Sequence, residues 1–209
     1  MGLTISSLDQ LKTGAMKKVQ ILLTALFLIA TVFGLQGQEK YEIVEEAGQL
    51  SLKGTSNTSD WELLSGSLTG DAQLMVENGK LTNVSRVIVD IDGKTIANKN
   101  NKRMTKKAHK TLQVGDHPVV TFFAYGFSQM ADGPRKMKGN VSIAGKNVDI
   151  LFDFTSRIQD DVVWIVAEAD AKFSDFGLEP PTDFGGAITC KDDIKIEVQL
   201  PFSLPEDRQ

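Results

Sequence analysis

Residues 136–154 read KMKGNVSIAGKNVDILFDF, and the fold follows from how they alternate. Met137, Gly139, Val141 and Ile143, then Val148, Ile150, Phe152 and Phe154, take every second position among Lys, Asn, Ser and Asp. Side chains leave a strand alternately to its two faces, so the pattern predicts a hairpin with one apolar and one solvated side. Its turn falls at Ala144, Gly145 and Lys146, where Gly145 supplies the backbone freedom a tight reversal needs. Residues 192–200 repeat the pattern, with Ile194, Ile196, Val198 and Leu200 set against Lys195, Glu197 and Gln199. Several such strands must share one interior. The expectation is a curved antiparallel sheet that hides a single apolar face.

Working outward, strands are expected at 41–44, 49–54, 61–68, 72–77, 80–92, 118–124 and 161–173. Asn78-Gly79 between two of these runs is the strongest short hairpin signal. In the run after it, Val87, Val89 and Ile91 share one face, and Arg86, Ile88 and Asp90 the other. In 161–173 the inward set is Val163, Ile165, Ala167, Ala169, Ala171 and Phe173, which leaves Val162, Trp164 and Val166 outside. Either that triplet contacts another chain or the helix, or the register is slipped by one residue and Trp164 lies inside. The count is eight to ten antiparallel strands in one all-β domain, a barrel of about eight strands once closed.

The interval between the strands at 80–92 and 118–124 differs in kind. Met104, Ala108 and Leu112 recur every fourth residue, which predicts a helix around residues 98–112 at one barrel end, with Gly115 as its stop. Lys99, Lys102, Arg103, Lys106, Lys107 and Lys110 fill its other faces, and no acidic residue occurs between Asp92 and Asp116. The face from Lys102 to Lys110 is either an ordinary solvated surface or a contact for anionic lipid headgroups or an acidic partner.

The N-terminal 37 residues do not belong to the sheet. Lys17 and Lys18 precede an uncharged apolar run from Ile21 to Leu35, and Gly37 is small enough for a cleavage site before Gln38. The run falls short of the about 20 residues a bilayer span needs, which favours a secretory signal peptide at 1–37 over an uncleaved anchor. Met16 beside the lysines looks the better initiator, and the expectation is that residues 1–15 are an extension from an upstream start. The domain is then 38–209, and its location periplasmic or secreted. With 23 Lys and Arg against 27 Asp and Glu the chain carries a net charge of −4. Losing Lys12, Lys17, Lys18 and Asp9 with the leader makes it more acidic, so no nucleic acid is expected as partner. Cys190 is the single cysteine, which excludes an intramolecular disulfide or a CxxC metal or redox site.

No sequence motif for catalysis is present: GxGxxG, the P-loop, HExxH and GxSxG are all missing. His109 and His117 flank a Gly-containing turn and read as surface residues, so neither a metal nor a cofactor is expected. Asp90-Ile91-Asp92-Gly93 opens like a calcium loop but lacks the oxygen ligands that should follow, and reads as strand end plus turn. The interior is therefore the main candidate site. Phe122, Phe152, Phe154 and Phe173 face inward together with Gly139, Ala124, Ala167, Ala169 and Ala171. Large rings beside small positions leave two outcomes open, a lined tunnel or a solid core.

Several segments in a fixed order carry a family resemblance. They are Gly54-Thr55-Ser56 with Asp60-Trp61, then His117-Pro118-Val119-Val120-Thr121-Phe122, then Gly139-Asn140-Val141-Ser142-Ile143-Ala144-Gly145, and finally Phe173-Ser174-Asp175-Phe176-Gly177-Leu178-Glu179-Pro180-Pro181 and the strand at 192–200. On these residues the mature chain resembles the YceI-like family of exported, lipocalin-like barrels. The resemblance implies an eight-stranded antiparallel barrel without enzyme activity, sometimes dimeric, whose apolar tunnel holds a polyisoprenoid or isoprenoid-quinone tail. Where relatives often carry a histidine before Asp-Trp, this chain has Ser59. The expected lining is Val87, Val89, Ile91, Val120, Phe122, Val141, Ile143, Ile150, Phe152 and Phe173. Such a ligand is reasonable on energetic grounds. Burial is worth about 0.8 kcal/mol per CH₂, hence on the order of 3 kcal/mol gross per isoprene unit before the tail is ordered. The alternative is a solid-cored envelope protein whose outer surface binds a partner.

Overall fold

A computed structural model of the chain describes residues 38–126 and 135–205. The expected leader at 1–37 lies outside the described residues. Among the described residues eleven strands follow in chain order: β1 (Glu39–Ile43), β2 (Gln49–Ser56), β3 (Asp60–Ser65), β4 (Leu68–Glu77), β5 (Lys80–Asp92), β6 (Val119–Ala124), β7 (Arg135–Ile143), β8 (Lys146–Gln159), β9 (Val162–Lys172), β10 (Thr182–Asp183) and β11 (Ile188–Ser203). Among the described residues one α-helix, α1 (Lys102–Thr111), interrupts them between β5 and β6.

Eight strands close a ring in the order β1, β4, β5, β6, β7, β8, β9, β11 and back to β1. Closure comes from the last two residues of β11, Phe202 and Ser203, which pair with Ile43 and Glu42. Every pairing in the ring is antiparallel. The ring itself has no free edge, so the one edge of the sheet is on β3, outside it. The β2–β3 hairpin attaches to the earlier part of β11, from Cys190 to Gln199, and β3 bridges onward through Leu64 to Ala97 ahead of α1.

The quoted stretch is a hairpin in the register its alternation implies, with Met137 opposite Phe152, Gly139 opposite Ile150 and Val141 opposite Val148. Its turn residues Ala144 and Gly145 both have positive φ. The inward reading of β9 also holds: Val163, Ile165 and Ala167 are buried, whereas Val166 is 38% exposed. Trp164 therefore lies outside, with the Arg157 guanidinium 5.2 Å from its ring. Phe152, Phe154, Phe202, Met137, Ile165 and Leu200 are among the largest fully buried side chains and fill the ring's centre.

Several boundaries differ from the sequence expectation, among them three near the barrel end that α1 covers. The helix begins at Lys102 rather than near residue 98, because Asn101 caps it by accepting a hydrogen bond from Met104 N at 3.0 Å. The run 61–68 divides at Gly66 and Ser67, so Leu68 starts β4. β11 begins at Ile188, four residues early, because the register against β2 shifts between Cys190 and Ile194. A bulge breaks the period of 2, and with it the sequence signal. As expected, Asp92 ends a strand: its carboxylate accepts from Lys94 N at 2.9 Å and caps a short 3₁₀ turn.

Candidate functional site

The β2–β3 turn, the β7–β8 turn, the end of β9 and the start of β11 all meet at one end of the barrel, and α1 lies across it. The helix carries Met104, Ala108 and Leu112 on the stripe that faces the barrel, with Ala108 and Leu112 buried. Between this stripe and the sheet is a cavity of about 300 Å³. Its wall combines Leu52, Trp61 and Leu63 from the β2–β3 hairpin, Ile143 from β7, and Phe173, Phe176 and Leu178 from the segment after β9. That size is at the lower end for small-molecule pockets, and the apolar wall with a few polar groups at the rim is their usual chemistry.

Two features of the local sequence build this wall. Trp61 stands opposite Gly54 across the hairpin, and a side chain at Gly54 would occupy the space of its indole ring. The indole is 6.1 Å from Phe173, centroid to centroid, and its N–H points to the Thr55 carbonyl at 3.4 Å. Phe176 and Leu178 are brought in by the 3₁₀ turn Ser174–Phe176, which ends on Gly177 in the left-handed conformation. Asp192 holds this turn by accepting from Ser174 N at 2.9 Å and Ser174 Oγ at 2.5 Å, and these bonds lower its pKa.

The rim is polar and clamped. Asp183, on the short strand β10, accepts from Arg103 Nη2 at 2.5 Å and lies 2.9 Å from Lys107 Nζ. Lys107 also donates to the Thr182 carbonyl. The Lys107 and Arg103 hydrogen bonds hold the Asp183 carboxyl down at about 2. The Arg103 guanidinium also lies 4.2 Å from the centroid of Phe184, a ring that is 63% exposed. Asn57 stitches the opposite side, donating to the Ala187 carbonyl at 2.9 Å and accepting from Thr189 N at 3.0 Å. Cys190 faces the cavity, and burial raises its thiol pKa. Ser59 is on the rim, in the place where the resemblance leads one to look for a histidine.

Nine of the ten residues expected to line a tunnel are on ring strands and Phe173 directly follows β9, but they do not share one space. Ile143 and Phe173 face the open cavity. Ile143 also belongs, with Ile91, Val120, Phe122, Val141 and Phe152, to the wall of a separate inner void of about 30 Å³. Val87, Val89 and Ile150 are buried and line neither. The physical reason is that large rings fill the space the small residues leave. Phe122 packs edge-on to Phe152 at 5.0 Å, and its ring takes the place a side chain on Gly139 would need. The middle of the barrel is thus packed, and the usable volume sits at the helix end.

Leu63, Met104, Ala108, Phe176, Leu178 and Ile194 complete the cavity wall and were not among the expected lining. The alternation of Ile194 and the four-residue spacing of Met104 and Ala108 were visible; that both point into one space required the helix to be placed. Of the two histidines, His109 Nε2 is 2.9 Å from the Ile96 carbonyl and the His117 ring lies against Gly145. No group of three or more potential metal ligands occurs among the described residues. A broader hollow on the outer sheet face is lined by Lys53, Glu62 and Glu197, and Lys53 pairs with both carboxylates.

A YceI-like domain model matches residues 41–202, which takes in the whole ring except the first two residues of β1 and the last of β11. The chain belongs to the YceI-like family. Among solved structures this YceI-like chain is similar to BcnA from Burkholderia cenocepacia, with TM-score 0.61, 14% identity, and 76% of this chain and 98% of that one covered. It is also similar to a polyisoprenoid-binding domain from Saccharophagus degradans implicated in plant cell wall breakdown, with TM-score 0.55, 11% identity and coverage of 79% and 98%. A Campylobacter jejuni YCEI protein follows with TM-score 0.51, 15% identity and coverage of 70% and 82%. At such identities the likeness is one of fold. Comparison with curated proteins by sequence gives no match.

Proposed function

We propose that this YceI-like protein is an exported lipid-binding barrel that takes the end of an isoprenoid or isoprenoid-quinone tail into the cavity under α1, as carrier or store. The observation that carries the reading is the apolar cavity of about 300 Å³ at the barrel end, with its polar groups confined to the rim. An apolar wall without buried polar partners suits a ligand recognised by burial alone, and each methylene placed there contributes about 0.8 kcal/mol. Family membership and the name of the Saccharophagus degradans neighbour supply the ligand class. No chemical step is assigned to the site, so the reading is binding rather than catalysis. Export rests on the leader-like residues 1–37, and N-terminal sequencing of the protein from its native host should begin at Gln38.

The test is extraction of the purified protein with organic solvent followed by mass spectrometry, with Ala108→Phe as the comparison. Ala108 forms the roof of the cavity, and a phenyl ring there occupies the proposed tail site. The wild type should yield an isoprenoid lipid and the variant none, while circular dichroism of the two is the same. Recovery of no lipid from the wild type, together with no binding of farnesol or geranylgeraniol in titration, would sink the proposal.

A solid-cored barrel that binds a partner by its outer surface is a second reading, which the packed central interior favours. It predicts that Ala108→Phe changes stability and leaves partner capture untouched. Val166 and Trp164 are the outer residues on which such capture should depend.

A further inference from the structure

The faces of α1 divide its cations into two sets. Residues two apart on a helix point about 200° away from each other, so Lys102, Lys106 and Lys110 lie opposite Met104, Ala108 and Leu112. Arg103 and Lys107 fall between the two stripes and are engaged by Asp183. Lys102, Lys106 and Lys110 are exposed, as is Lys99 just before the helix, and none of them has a salt-bridge partner among the described residues. An unpaired row of ammonium groups thus covers the roof of the cavity on a chain whose net charge is −4. Beside it stands the exposed ring of Phe184, an aromatic group with a cation at its face.

We infer that the Lys102, Lys106 and Lys110 stripe of α1, flanked by Lys99 and Phe184, docks the cavity mouth onto an anionic bilayer surface. The argument rests on the lipid-binding reading for the choice of a membrane over an acidic protein: an apolar cargo leaves or joins a bilayer most readily where the mouth meets it. The acidic remainder of the molecule is repelled by an anionic surface, and the basic stripe is attracted. Together they orient the protein with α1 toward the membrane. An exposed apolar ring that inserts at the boundary between headgroups and acyl chains is the usual companion of such a basic face.

The experiment is flotation of the purified protein with phosphatidylcholine vesicles that contain or lack phosphatidylglycerol, at low and high salt. Binding to the anionic vesicles alone, lost at high salt, is the expected result. The triple substitution Lys102→Gln, Lys106→Gln and Lys110→Gln should weaken that binding on the order of a hundred-fold, from about a five-fold loss for each lysine. Phe184→Ala should weaken the low-salt binding by a smaller factor. Equal binding to both vesicle types, no binding to either, or a triple variant that floats like the wild type overturns the inference. The solvent extraction is independent of it: a protein that floats but carries no lipid retains the docking surface and loses the cargo, and one that carries lipid but does not float does the reverse.

Discussion

Gly54 and Trp61 show how one missing side chain makes a binding wall. In an antiparallel pair the residues directly opposite compete for the same space, and here the glycine yields it to the indole. Gly54→Ala should therefore push Trp61 off its present position and toward the cavity it lines. The expected outcome is a loss of about 1–3 kcal/mol in urea unfolding, the usual range for overpacking, with weakened farnesol binding and shifted tryptophan emission. Unchanged binding would show that the cavity does not depend on where this ring stands. Gly139 and Phe122 form a second such pair in the packed middle, where the ring closes space instead of shaping it. The pattern of a glycine at an inward position was legible in residues 136–154, but not which neighbour's ring would take the room.

At the scale of elements, α1 and β10 act as a clasp. Arg103 and Lys107 hold Asp183 across the rim, and the lowered pKa of that carboxyl states how the clasp depends on pH. A carboxyl whose folded pKa lies below its unfolded one contributes stability in full above its ordinary value and loses it as pH falls through the folded value. For Asp183 those values are 3.8 and about 2. Amide exchange of α1 should thus stay slow from neutral pH down to about 4, after correction for intrinsic rates, and quicken only toward about 2. Asp183→Asn removes the charge at every pH and should quicken exchange at pH 7. Exchange in the variant that matches the wild type at pH 7 would mean that the Ala108 and Leu112 packing alone holds the helix. The basic helix itself was plain from its four-residue spacing; the clasp was not, because β10 is two residues long and lies far along the chain.

For the whole molecule, the question is where a closed ring of eight strands keeps its empty volume. Leu52, Leu112 and Ile143 border both the open cavity and the inner void, so they form the floor between them. Ile143→Ala should open that floor at a stability cost of about 2–5 kcal/mol. With the floor open, relative affinity should move from farnesol toward geranylgeraniol, as read by titration of the two alcohols. A variant that loses stability but keeps the wild-type order of affinities would place the length limit elsewhere.

Period-2 alternation at 136–154 and 192–200, the Asn78-Gly79 turn and the Met104, Ala108, Leu112 spacing determined the strands, their inward faces and the helix, because each depends on neighbours a few residues apart. The register of β9 was left open by sequence, since a slip of one residue exchanges the two faces and only the partners across the sheet select between them. Ring closure, the start of β11 behind its bulge and the position of the cavity belong to tertiary structure alone. Whether an inward phenylalanine fills the bore or borders a hollow depends on which side chains arrive from other strands, and those contacts join residues far apart in the chain.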